Sequence, residues 1–191
     1  MLRDLTKSDW LKILQLPEEK IPHTLIIRGT RNLTAKYESH KKYFSNVIDL
    51  KFPNGIFENM FIGDLNGNSV GFATVYGAPM ASEVVHLFGV LGTSLVVQIG
   101  CCGGLVNDLK PGDIFIATEA FRGEGASQYY IPNKQIIKAT TQVVPVIDEI
   151  RTGRIYTTSA LLAEGKEEIE KWAMLGCTAV DMETSATFAT A

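Results

Sequence analysis

The chain has little of what marks the more specialised protein classes. It holds three cysteines in 191 residues, Cys101, Cys102 and Cys177. An odd number with two members adjacent gives neither a disulfide framework nor the paired spacing of a zinc site, and the expectation is a reducing, cytoplasmic compartment. Apolar runs are short, below the roughly eighteen residues that a membrane helix needs, so no membrane partner is expected. The formal net charge is only −3, which provides no general attraction for nucleic acid or an anionic surface. Histidine is scarce: His23, His40 and His86 lie far apart without ligand spacing and read as ordinary surface or core groups. No metal and no resident cofactor are expected. Arg3, Asp4, Lys7 and Asp9 near the start do not read as a secretory signal.

What is present is the balance of an ordinary globular protein, 46% hydrophobic and 20% charged, long enough for one sizeable core. A small molecule or another protein is the default partner.

Residues 1–21 are expected to be peripheral, with an amphipathic helix from Thr6 to Leu16, capped by Thr6 or Ser8 and ended before Pro17. Residues 22–191 are expected to form one domain. Strand patterns run from Thr24 to Arg28, Asn46 to Leu50, Met60 to Leu65, Ser69 to Tyr76, Ser94 to Gly100, Ile114 to Thr118, Arg154 to Ser159 and Thr178 to Asp181. Asn66-Gly67 joins the third and fourth as a hairpin. The segment from Ser94 to Gly100 is almost continuously apolar and reads as a central strand covered on both faces. Helices are expected from Thr34 to Phe44, from Ala81 to Leu91, within Lys134 to Arg151, from Lys166 to Leu175, and from Glu183 onward. Alternating strands and helices with one hairpin predict an α/β fold: a three-layer domain with a central mixed β-sheet flanked by helices. The helical run reaches Thr190-Ala191 with no cap, glycine or proline, which suggests a shortened form of a longer protein.

Three glycine corners follow strand patterns: Arg28-Gly29-Thr30-Arg31-Asn32, Gly100-Cys101-Cys102-Gly103-Gly104 and Gly123-Glu124-Gly125-Ala126-Ser127. Any one of them is a turn. Three in one domain point to a ligand site, because open α/β sheets collect ligands at the carboxyl ends of their strands. Asp181-Met182-Glu183 places two acids at a strand-to-helix junction. Such carboxylates match the hydroxyl spacing of a vicinal diol. They also serve as a helix cap and a first-turn acid, and spacing alone favours that second role. Cys101 and Cys102 read as buried structural thiols with no basic neighbour in sequence to activate them. Tyr129-Tyr130 reads as a flap or a packed loop, and Arg122 as a solvated loop cation.

The motifs together resemble the purine and uridine nucleoside phosphorylase superfamily. The resemblance is carried, in the family's order, by Gly77-Ala78-Pro79-Met80-Ala81-Ser82, by Val96 to Gly104, by Gly112-Asp113-Ile114, by Gly125-Ala126-Ser127, and by Val180 to Ala186. It implies that Glu183 binds ribose hydroxyls, that Met182 packs against sugar and base, that Asp181 stands just before them, and that Tyr76 lines the sugar pocket. Cys102 and Gly103 fall where the backbone passes the base. The phosphate or nucleophile site falls on Gly29, Arg31, Thr34, Gln98 and Cys101.

Some of these positions depart from the family pattern. Family members grip phosphate with arginines and a hydroxyl residue. Here Thr34 takes one arginine position with Arg31 nearby, Gln98 takes the other, and Cys101 replaces the hydroxyl. Ala163 stands where an aromatic ring stacks on purines, and Ala163 to Glu167 lacks the Gln and Arg of uridine-specific members. The aspartate that protonates a purine would lie past Ala191, so no catalytic residue is assigned. The resemblance implies cleavage of the N-glycosidic bond of a uridine- or purine-type ribonucleoside to free base and ribose 1-phosphate, with inorganic phosphate as co-substrate. A nucleoside hydrolase and a catalytically impaired nucleoside-binding member stay open beside it. A homo-oligomer, dimer or hexamer, is implied as well.

Overall fold

The structure, a computed structural model, describes residues 2–50, 58–140 and 150–191. The chain divides into two compact units, one of Met1–Tyr76, Glu83–Gly100 and Ala191, the other of Gly77–Ser82 and Cys101–Thr190. Each carries one five-stranded mixed sheet with helices.

The first unit opens with helix α1, Lys7–Leu14, whose start is fixed by a capping box. The Thr6 hydroxyl accepts from Asp9 N–H, and the Asp9 carboxylate accepts from Thr6 N–H at 2.9 Å, satisfying two donors that the first turn leaves over. Trp10 and Leu14 are buried. Five strands follow: β1 (Thr24–Gly29), β2 (Ser45–Leu50), β3 (Met60–Leu65), β4 (Asn68–Val75) and β5 (Leu95–Ile99). Their order in the sheet is β2-β3-β4-β1-β5. The expected hairpin forms between β3 and β4. Asn66 and Gly67 both take positive φ, 50° and 81°, as a two-residue turn with right-handed strand twist requires. Helix α2 spans Leu33–Lys41; α3 spans Gly77–Leu91, its residues from Glu83 on belonging to this unit and Gly77–Ser82 to the other. Tyr37, Phe61 and Phe72 pack together, with Ile26, Phe44 and Val47 against them.

In the middle of this sheet, β1 runs parallel to both β4 and β5. The strand expected to be central and covered on both faces is instead β5, the sheet's last strand, with residues only half buried and Ile99 exposed. A continuous apolar run records apolar neighbours and leaves a strand's place in its sheet undetermined.

The second unit contains β6 (Gly103–Gly104), β7 (Phe115–Gly123), β8 (Ile136–Lys138), β9 (Arg151–Thr158) and β10 (Cys177–Asp181), ordered β6-β10-β9-β7-β8. The three inner strands β10, β9 and β7 are parallel, and the two outer ones run antiparallel to their neighbours. Helices α4 (Lys166–Met174) and α5 (Thr184–Thr190) complete the unit. Ala120, Ile155 and Ala179 lie at the centre, with Leu109, Phe115 and Phe188 packed against them. Tyr156 is stacked between Phe121 and Trp172, at centroid distances of 5.4 and 4.4 Å. The helix expected within Lys134 to Arg151 lies partly on residues 141–149, outside the described residues; within the described part, Ile136–Lys138 is a strand pairing with β7. The fold class is the expected mixed α/β, with the strands shared between two sheets.

Candidate functional site

In the first unit, three neighbouring parallel strands end on the same side. The last rung between β1 and β4 pairs Gly29 with Val75, and Thr30 N–H then donates to Val75 O at 2.9 Å. Immediately beyond that rung the two chains present Arg31 and Tyr76. Arg31 Nε donates to the Tyr76 hydroxyl at 3.1 Å, and the guanidinium carbon stands 5.5 Å from the Tyr76 ring centroid. Among the described residues no carboxylate pairs with Arg31. Gly100 follows β5, and a side chain there would meet Gly29 O at 3.7 Å and Arg28 Nη1 at 3.9 Å, so the corners after β1 and β5 lie side by side. Gln98 sits within β5, level with Ile27 of β1. Thr34 is in the first turn of α2 and exposed. Gly29, Arg31, Tyr76 and Gly100 therefore share one sheet edge, while Thr34 is one helix turn removed.

In the second unit, β6 is a two-residue bridge: Gly103 pairs with Val180 and Gly104 with Ala179. That pairing lays the second glycine corner along β10, directly before Asp181-Met182-Glu183. Gly103 has room for little else, since a Cβ there would stand 3.0 Å from Val180. Asp181 accepts from Thr157 Oγ1 at 2.9 Å and from Thr184 N–H at 2.9 Å, with the Thr184 hydroxyl donating as well. Thr157 Oγ1 in turn accepts from Ser185 N–H at 2.9 Å. Burial raises the Asp181 carboxyl above its ordinary range, against the lowering effect of these donors. Asp181 thus caps α5, and a diol-binding role for it is a proposal.

Glu183 is buried, 7% exposed. Its Oε1 accepts from Gly77 N–H at 2.7 Å across 106 residues of sequence. Gly77 opens α3 with φ +80°, a conformation that glycine adopts without steric cost, and this aims its N–H at the carboxylate. A buried carboxylate held by a backbone donor is oriented before any ligand arrives. Met182 lies between the two acids and is half buried. Glu124 of the third corner reaches the same helix: its Oε1 accepts from Ser185 Oγ at 2.7 Å, and its Oε2 accepts from Ser127 N–H. The arrangement can hold a polyhydroxylated ligand by charge-assisted hydrogen bonds.

Several residues differ from expectation. Cys101 and Cys102 are exposed, and only Cys177 is buried, because the second corner sits at the edge of its sheet. Partial desolvation by its surroundings, then Asp181 and Cys101, raise the Cys102 thiol despite its exposure, and burial pushes Cys177 up to about 11. Arg122 is on β7 and donates to Ile131 O and Pro132 O at 2.9 and 3.3 Å, tying a loop down instead of standing in solvent. Tyr129 is exposed and Tyr130 partly so. His40 stacks on Phe72, with ring centroids 5.0 Å apart. Among the described residues no group of three or more His, Cys, Asp or Glu could hold a metal, and no helix is long and apolar enough to cross a membrane.

The family model of the phosphorylase superfamily matches residues 42–191. The chain belongs to the phosphorylase superfamily. Among its relatives, a guanosine phosphorylase of Halorubrum lacusprofundi is 30% identical over 127 residues, 62% of this chain and 53% of that one. A DeoD-type purine nucleoside phosphorylase of Clostridium beijerinckii is 24% identical over 92% of this chain and 77% of its own. The chain therefore spans between about half and three quarters of the length of these relatives. Among solved structures, an AMP nucleosidase from Bacteroides thetaiotaomicron has a TM-score of 0.77 at 20% identity, over 100% of this chain and 83% of that one. A uridine phosphorylase from Vibrio fischeri has a TM-score of 0.73 at 22% identity, over 91% and 74%. The fold is that of these proteins.

In this phosphorylase-superfamily chain, Gly77, Thr157, Ser185 and Glu124 escaped the reading of site residues. Gly77 stood inside a quoted motif, and its signal was a glycine directly after a strand. Glu124 and Ser185 also stood inside quoted motifs, but like Thr157 they act through contacts 24 to 61 residues away, which no local pattern announces.

Proposed function

We propose that this chain cleaves the N-glycosidic bond of a ribonucleoside by phosphorolysis, giving free base and ribose 1-phosphate, and that the base is a purine. The observation that carries the reading is Glu183: a buried carboxylate, oriented by Gly77 N–H at 2.7 Å, at the position where the family's motif binds ribose hydroxyls. The purine preference is supported by relatives described as guanosine and purine nucleoside phosphorylases. In this reading Glu183 clamps the diol, Met182 and Tyr76 pack the sugar, Asp181 fixes the start of α5, and Cys102 with Gly103 borders the base. Gly29, Arg31, Thr34, Gln98 and Cys101 supply the phosphate site. The transition state resembles an oxocarbenium sugar, so rigid placement of the ribose and of the nucleophile lowers the barrier. The enzyme is taken to be cytoplasmic and homo-oligomeric, with no metal or resident cofactor.

A second reading, hydrolysis, is favoured by Gln98 and Cys101, which replace a guanidinium and a hydroxyl with a neutral amide and a thiol. A water needs no dianion site. The test incubates purified protein with inosine, guanosine and uridine, with and without phosphate, and follows free base and ribose 1-phosphate. Phosphate-dependent loss of inosine or guanosine is expected. Equal base release without phosphate would make the chain a hydrolase. Binding without release would leave a nucleoside-binding member.

A further inference from the structure

We propose that Tyr76 is a positioning residue for Arg31, and that the pair forms a preset oxyanion fork for inorganic phosphate at the carboxyl edge of β1 and β4. The inference rests on the phosphorolytic reading and deepens it. A sugar-lining role for Tyr76 leaves its hydroxyl unexplained; the geometry gives that hydroxyl a task.

The two residues leave adjacent parallel strands one step past the last rung, Thr30 N–H to Val75 O. Their closeness is thus set by the sheet and not by loop packing. Arg31 Nε donates to the Tyr76 hydroxyl at 3.1 Å, and the guanidinium stands 5.5 Å from the ring centroid. A guanidinium has two bidentate edges, one using Nε with one terminal nitrogen, the other using both terminal nitrogens. With Nε engaged by Tyr76, the side-on edge is closed and the end-on edge, Nη1 with Nη2, is the one presented. Among the described residues no carboxylate competes for it. Arginine on an exposed loop ordinarily loses much rotamer freedom on gripping an anion. Here the hydroxyl bond and the cation–π contact have already removed that freedom, so less is lost when phosphate binds. This also accounts for how a site with Gln98 in place of an arginine can retain a dianion: the Arg31 guanidinium is held in register by a neighbour that the sheet supplies, with Arg28 of β1 close to Gly100.

The test compares Y76F, R31A, R31K and the double variant R31A/Y76F with wild type in the full chain. Phosphate KM is measured at saturating inosine, and inosine KM at saturating phosphate. Phosphate-induced thermal shift is recorded without nucleoside. Y76F keeps the ring and removes the bond to Nε; it is expected to raise phosphate KM by roughly 3- to 10-fold, the worth of one net hydrogen bond, and to leave inosine KM within about twofold. R31A is expected to raise phosphate KM by more than about tenfold, as loss of a charged partner does. R31K, which keeps charge but lacks the fork, is expected to restore little of it. Because Tyr76 acts through Arg31, adding Y76F to R31A is expected to change nothing further. Independent addition of the two effects would overturn the inference. So would a Y76F variant that alters inosine KM and not phosphate KM. If the wild type turns over no nucleoside, the phosphorolytic reading has failed, and the thermal shift then decides: a phosphate shift lost in R31A and reduced in Y76F upholds the fork. A wild type unmoved by phosphate overturns it.

Discussion

Glu183 is a carboxylate that the fold has removed from water and given a backbone donor, Gly77 N–H. Glutamine has the same shape and keeps an acceptor for that N–H, but it loses the charge that strengthens hydrogen bonds to sugar hydroxyls. E183Q is therefore expected to fold with a melting temperature close to wild type and to lose about 10- to 100-fold in kcat/KM for inosine, the equivalent of one charge-assisted bond. A variant with unchanged kcat/KM would remove Glu183 from the ribose site.

Asp181 yields a prediction about pH. Its carboxyl is raised above the ordinary 3.8 by burial, so the folded chain binds this proton more tightly than the unfolded chain does. The stability this contributes is fully present below pH 3.8 and is lost as pH rises through the raised value in the folded state. D181N does not titrate. Its melting temperature is expected to gain on wild type from about pH 4 until the raised folded value is passed and then to hold level, and the opposite slope would mean that the Thr157 and Thr184 donors outweigh burial. From sequence, spacing alone favoured the cap for Asp181, and the diol role came from the family resemblance. The hydrogen bond from Thr184 N–H at 2.9 Å makes it a cap, whatever ligand role it adds. Thr157, which fixes the other carboxylate oxygen, was not legible, because nothing local distinguishes it from any other strand threonine.

At the scale of elements, what was legible followed from short-range rules. The Thr6–Asp9 capping box and the Asn66-Gly67 hairpin stand where residue chemistry put them. Helix α3 starts at Gly77, four residues before the expected Ala81. Gly77 and Pro79 look like breakers, but a proline in the first turn removes only an N–H that has no intrahelical partner. Strand β7 runs on to Gly123, past the expected Thr118, because pairing with β9 and β8 decides its length and Glu119 to Arg122 has no clean alternation. Close packing of β7 on β9 allows a direct test at Gly123. A Cβ there would stand 2.3 Å from the Tyr156 ring, and Tyr156 is held between Phe121 and Trp172, so it has nowhere to shift. G123A is expected to cost about 1–3 kcal/mol as an overpacking substitution, lowering the melting temperature by roughly 3–10 °C for a chain of this size. Y156A combined with G123A would relieve the clash, and the double variant is expected to be less unstable than the sum of the singles. Strict additivity would mean that the two residues do not meet.

For the molecule as a whole, composition bounded the class and the motifs bounded the family, while the division of strands into two sheets was set by pairings that no sequence window contains. Binding is where the scales meet, because any ligand that prefers the folded state raises the melting temperature of the whole chain by mass action. Inosine at about one hundred times its Kd would add about 2.7 kcal/mol, or roughly 5–10 °C. If Glu183 clamps the diol, this shift depends on the 2′- and 3′-hydroxyls. 2′,3′-Dideoxyinosine keeps the base and the ring but offers the buried carboxylate no hydroxyl donor, so the charge-assisted bonds that the diol would add to the Gly77 N–H contact are missing. Its shift at equal concentration is expected to be small in wild type and indistinguishable from that of inosine in E183Q, where the clamp is already weakened. Equal stabilisation of wild type by inosine and its dideoxy analogue would place the affinity in the base alone. The buried Glu183–Gly77 bond would then be a structural tie, with no part in recognising the sugar.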